Sequence, residues 1–121
     1  MPFVTKIFDY QVGSVGFTER LARERGLDVI SVLVNTPKLR EVFDGRPAWY
    51  KLVAHGKRIV GAQVISQEIV SGTVDKLAVA IANKMEVIKL VQIDSCYSPH
   101  VQEDQIAVPL QRLIDAELDR K

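Results

Sequence analysis

AWYKLVAHGKRIVGAQVIS, running from Ala48 to Ser66, is the stretch on which the fold turns. Two apolar runs, AWYKLVA and IVGAQVIS, flank His55-Gly56-Lys57-Arg58, a short turn containing glycine. Runs of this kind joined by so few residues can only return beside each other, so the stretch predicts an antiparallel hairpin. Upstream, beyond a polar link holding Pro37, Gly45 and Pro47, lies DVISVLVN, Asp28 to Asn35. It is too short and too β-branched for a helix. Being apolar on both faces, it is expected to be a strand inside the sheet. Downstream the period changes. From Glu68 to Met85, the residues Val70, Val74, Leu77, Ala78, Ile81 and Met85 fall on one helical stripe. Ile69, Val79, Ala80 and Ala82 are apolar as well, so this helix is expected to be buried on more than one side.

The flanks extend the same pattern. Thr5 to Val12 places Phe8, Tyr10 and Val12 at alternate positions, which predicts a half-buried strand, and Gly13 to Gly16 would end it. Thr18 suits the N-cap of a helix over Glu19 to Arg25, Phe17 can pack back on Ala22, and Gly26 would stop the helix. So charged a helix should bury only its Leu21 and Ala22 edge. A shorter helical stretch, Val87 to Ile93, precedes Asp-Ser-Cys-Tyr-Ser-Pro-His. In the tail Ile106, Leu110, Leu113, Ile114 and Leu118 recur at helical spacing. Pro109 cannot donate an interior helical hydrogen bond, so that helix either starts near it or kinks there. Strands in series followed by helices predict an α+β two-layer sandwich, a mainly antiparallel sheet of about four to five strands with helices packed on it.

Composition narrows the class. Of 121 residues, 47% are apolar and 26% charged, enough for one core without disulfides or a structural metal. No repeat or low-complexity stretch divides the chain, which is taken as a single domain over 1–121. Sixteen basic and 15 acidic side chains leave a formal charge of +1, so charge points to no nucleic acid and no membrane surface. Arg20, Arg23 and Arg25 are interrupted by Glu19 and Glu24, as on a solvated, ion-paired helix. Cys96 is the single cysteine and can form no internal disulfide, and neither a spanning apolar run nor a signal peptide is visible. A cytoplasmic setting is the expectation.

The glycines include neither G-x-G-x-x-G nor G-x-x-x-x-G-K, so the chain alone is expected to hold no nucleotide cofactor. His55 and His100 lack companions at ligand spacing, which argues against a metal site. His55 is expected to be a solvated turn residue. One segment carries chemistry: Cys96-Tyr97-Ser98-Pro99-His100 puts a phenol, a hydroxyl, a rigid proline and an imidazole on a loop between two helices. On physical grounds alone the favoured reading is structural, with Pro99 ending a helix and Tyr97 covering the edge of the core.

Four segments in order carry a family resemblance. TKIFDYQVGSVGFTERLARERGLDV, WYKLVAHGKRIVGAQVIS, VDKLAVAIANKMEVIKLVQID and CYSP together resemble the C-terminal dimerisation domain of the flavin-dependent pyridine nucleotide-disulfide oxidoreductases. The likeness is to the NADH oxidase, NADH peroxidase and coenzyme A-disulfide reductase branch, and HVQEDQIAVPLQRLIDAELDRK matches it weakly. In such enzymes the N-terminal part supplies FAD, the nicotinamide site and the redox cysteine. The C-terminal domain joins two subunits and lends a late loop to the other subunit's flavin site.

The resemblance implies a homodimer in which Tyr97 and His100 are catalytic candidates only beside a flavin domain, with Ser98 and Pro99 contacting the partner's flavin site. His100 stands where the branch commonly has a second proline. It also lies one step past the histidine of the glutathione reductase branch, so that histidine's acid/base role does not transfer to it directly. No cofactor is implied for the isolated chain; FAD and NAD(P)H are implied for a parent enzyme, and FAD/NAD domains of a parent or partner chain are the other expected partner. Both a C-terminal piece of a longer chain and a free-standing gene product fit. Two other readings are a free-standing oligomerisation or binding protein derived from this domain, and a small thiol enzyme with Cys96 as nucleophile and His100 as base.

Overall fold

The computed structural model describes residues 2–36, 48–67, 70–92 and 107–119. Along the chain come β1 (Phe3–Ile7), β2 (Tyr10–Gly16), α1 (Glu19–Glu24), β3 (Val29–Thr36), β4 (Ala48–His55), β5 (Arg58–Ser66), α2 (Ser71–Ala82), α3 (Val87–Val91) and α4 (Ala107–Asp119). The strands form one antiparallel sheet in the order β1-β2-β5-β4-β3, and helices pack on it, giving the expected α+β two-layer fold.

The central hairpin forms as expected, with a tighter turn. His55 pairs with Arg58, so only Gly56 and Lys57 span the loop, and Gly56 takes φ +62. The register shifts between Val53 and Ala54, leaving Val60 as an extra residue in β5. Its carbonyl accepts the Phe17 N–H at 2.9 Å, which fastens the entry of α1 to the sheet. A side chain at Gly61 would collide with the Phe17 backbone, so this glycine lets two chain segments touch.

Side chains alternate across the sheet. On one face Tyr50, Leu52, Ile59, Ala62 and Val64 meet Val74, Leu77 and Ala80 of α2, Leu90 of α3, and Leu110 and Leu113 of α4. On the opposite face α1 covers one end, packing Ala22 on Val29 and Val53 with Phe17, Leu27 and Val60 around them.

Helix ends explain where the elements stop. Thr18 Oγ1 accepts the Leu21 N–H at 3.1 Å, and Phe17 packs in the cluster containing Ala22, as the staple requires. At the other end Gly26 (φ +79) donates to Arg23 and Leu27 to Ala22, the paired bonds of a Schellman cap. The same pair closes α2, where Lys84 donates to Ile81 and Met85 to Ala80, but there the left-handed position (φ 54) is held by Lys84. Pro109 is the third residue of α4, in the first turn, where its missing N–H removes no helical bond.

Several expectations need correction. The single strand over Thr5 to Val12 is a hairpin: Phe8 and Asp9 form its turn, and Gly13 to Gly16 lie within β2. β3 is an edge strand rather than an interior one, with α4 lying against it on one face. Leu21 is exposed, leaving Ala22 as the buried residue of α1. The helix expected from Glu68 to Met85 spans Ser71–Ala82, and it is buried along one stripe while Val79 and Ala82 face outward. Glu68 and Ile69 lie outside the described residues.

Candidate functional site

Three surfaces are candidates for function. The first is the outward stripe of α2, where Asp75, Val79 and Ala82 recur at helical spacing opposite the buried Val74, Leu77 and Ala80. Val79 is 61% exposed, which leaves most of a β-branched apolar side chain in water. The helix runs the length of the sheet. The Val70 N–H just before it donates to Gln11 Oε1 at 3.1 Å near the β1–β2 turn. At its far end the Met85 carbonyl takes the Ile59 N–H at 3.3 Å beside the β4–β5 turn.

The second surface is the sheet face that α1 leaves uncovered. Register places Trp49, Ile65 and Val12 side by side across β4, β5 and β2, with Leu33 exposed on β3. Where this face meets α1, Glu19 gathers the polar groups. Its carboxylate accepts from Ser31 Oγ at 2.6 Å, Lys51 Nζ at 3.1 Å and Arg23 Nη2 at 3.1 Å. The Ser31 hydroxyl, then the Lys51 and Arg23 donors, hold the carboxyl down to about 2, against a smaller opposing effect of burial.

The third is a cleft of about 220 Å³ bounded by Ala54 and Gly56 at the β4–β5 turn, Val87 and Ile88 of α3, and Leu113 and Leu118 of α4. At the opposite end of the sheet stands the β1–β2 turn, where Phe8 is 91% exposed at φ 55.

The sequence-derived site residues Tyr97, Ser98, Pro99 and His100, with Cys96, lie outside the described residues. His55 is an exposed residue beside the hairpin turn, its Nδ1 3.0 Å from the Asp28 carbonyl oxygen. Among the described residues no group of three or more His, Cys, Asp or Glu could hold a metal ion. None of their helices is long and apolar enough to cross a membrane. The exposed Phe8 escaped sequence reasoning because alternation made it a strand residue. The Trp49–Ile65–Val12 row was available in the same alternation, once the strands are aligned.

The family model for the pyridine nucleotide-disulphide oxidoreductase dimerisation domain matches residues 3–106. The chain belongs to that family. This dimerisation domain is 29% identical over 97 residues to an NADH oxidase of Enterococcus faecalis (strain ATCC 700802 / V583), covering 78% of this chain and 22% of that protein. It superposes on a NAD-dependent persulfide reductase from A. fulgidus with a TM-score of 0.85, at 25% identity, over 94% of this chain and 22% of that one. With the water-forming NADH oxidase from Lactobacillus brevis bound to NADH the TM-score is 0.89 at 21% identity, over 98% and 28% of the two chains, a likeness of fold. The dimerisation domain thus spans between 22% and 28% of the length of these relatives.

Proposed function

We propose that residues 1–121 act as one domain that joins two copies of a flavin-dependent pyridine nucleotide-disulfide oxidoreductase in the cytoplasm, and that α2 lies at the seam. The observation that carries this reading is the outward Val79–Ala82 stripe on α2, a helix of the layer that packs on the sheet, in a chain whose family is a dimerisation domain. Small Ala82 beside Val79 allows close approach, and a two-fold contact uses the same stripe on both copies.

In this reading FAD and NAD(P)H belong to the parent enzyme. Five of the described glycines are committed elsewhere. Side chains at Gly13, Gly16 and Gly61 would strike Val74, Val60 and Phe17, while Gly26 and Gly56 close turns at positive φ. These five do not form the open backbone cradle that a dinucleotide requires. The loop from Tyr97 to His100 is lent to the partner's flavin site, with Ser98 and Pro99 as contacts and Tyr97 and His100 beside the reacting groups. The isolated chain then catalyses nothing.

Sedimentation equilibrium tests the reading. The chain should weigh as a dimer at tens of micromolar, and Val79→Arg should return it to monomer with its circular dichroism unchanged. A wild-type monomer at millimolar concentration would remove the proposal.

A further inference from the structure

Phe8, at the β1–β2 turn, combines a left-handed backbone with an almost fully exposed ring. A bulky side chain at φ 55 is strained, because its Cβ crowds the backbone where glycine or asparagine sits freely. Its ring is 91% exposed, so the strain is not offset by burial. The two-residue turn calls for a positive φ at this position, but it does not call for a bulky apolar ring. At the far end of the same sheet is the cleft between the β4–β5 turn, α3 and α4, at about 220 Å³ and mostly aliphatic. An aliphatic cavity of about 150 Å³ holds benzene, so this cleft has room for a phenyl ring.

Charge agrees with size. Phe8 is flanked by exposed Lys6 and Asp9, and the cleft also carries Lys57, Glu86 and Glu117, so each charge beside the ring has an opposite number beside the cleft. The ends match as well. Because α2 begins near the β1–β2 turn and ends near the cleft, two copies joined through antiparallel α2 helices bring the turn of each toward the cleft of the other. We propose that in the dimer Phe8 of each copy seats in the cleft bounded by Ala54, Val87, Leu113 and Leu118 of the other. This inference rests on the α2 seam, and it names the side chain that anchors it.

The test uses the full chain. Phe8→Asn keeps a residue tolerant of positive φ and removes the ring. Leu118→Asp, at an exposed edge of the cleft, spoils the receiving surface. Sedimentation equilibrium should show either change raising the dimer dissociation constant about tenfold or more, and the double variant should be little weaker than either alone. At dilutions where all variants are monomers, Phe8→Asn should melt no lower than wild type, since it relieves strain. If Phe8→Asn dimerises as wild type while Val79→Arg is a monomer, the seam stands and the Phe8 anchor is wrong. Additive losses from Phe8→Asn and Leu118→Asp would equally overturn the seating, because two groups in contact must couple. A wild-type chain that never dimerises removes both.

Discussion

Glu19 shows how one side chain can fasten three elements. It begins α1, yet its carboxylate is held by Ser31 of β3 and Lys51 of β4 as well as by Arg23 one turn on, so its charge works between layers as well as along the helix. The Glu19 and Lys51 side chains are 30% and 33% exposed, and solvent screens the pair, so Glu19→Gln should cost about 1 kcal/mol at pH 7. A carboxyl held below its ordinary value of about 4.5 contributes stability above that pH and loses it as the pH falls toward about 2. Urea titrations at pH 7, 4 and 3 should therefore show the wild-type advantage over Glu19→Gln shrinking across that window. The loop proposed to reach the flavin has its own test. In a parent enzyme, Tyr97→Phe should slow turnover while leaving the dimer and its melting temperature nearly unchanged, since only a hydroxyl is lost. A melting temperature lowered by several degrees at full rate would make that hydroxyl structural.

Two helices of this fold end in the same cap with different residues in the left-handed position. Gly26 is at ease there, whereas Lys84 is strained. Lys84→Gly should raise stability by about 0.5–1 kcal/mol in chemical denaturation, since the cap bonds from Lys84 and Met85 are already made. That contrast also marks how far the elements could be read from sequence. The end of α1 was legible because Gly26 announces it, and its start because Thr18 is a strong cap. The end of α2 was not, because lysine carries no stop signal and apolar spacing runs on to Met85. The first hairpin was hidden for the same reason: Phe8-Asp9 lacks the Asn-Gly chemistry of a two-residue turn, and alternation runs unbroken across it. The edge position of β3 depends on strand order, which local pattern cannot carry. The α2 stripe was partly legible, since Val79 and Ala82 are apolar positions outside the buried stripe. The cleft was not, because it joins a turn and two helices distant in sequence.

At the scale of the whole molecule, a dimer makes thermal stability depend on protein concentration, so the melting temperature should rise as the chain is concentrated from about 1 to about 100 µM, and Val79→Arg should abolish the dependence. Added FAD or NADH should leave the curve in place, since binding to the native state would shift it upward. The strand order has a consequence of another kind. β3, β4 and β5 follow one another as neighbours, but β2 reaches its neighbour β5 only across the intervening α1, β3 and β4, pairing Val12 with Ile65. Closing that long loop costs chain entropy before any contact rewards it, so the meander of β3 to β5 should nucleate and the β1–β2 hairpin should dock late. Kinetics would reveal it as a division of labour: Leu52→Ala should slow refolding, whereas Val4→Ala should mainly quicken unfolding. Amide exchange should likewise find β1 and β2 opening while β4 is still closed.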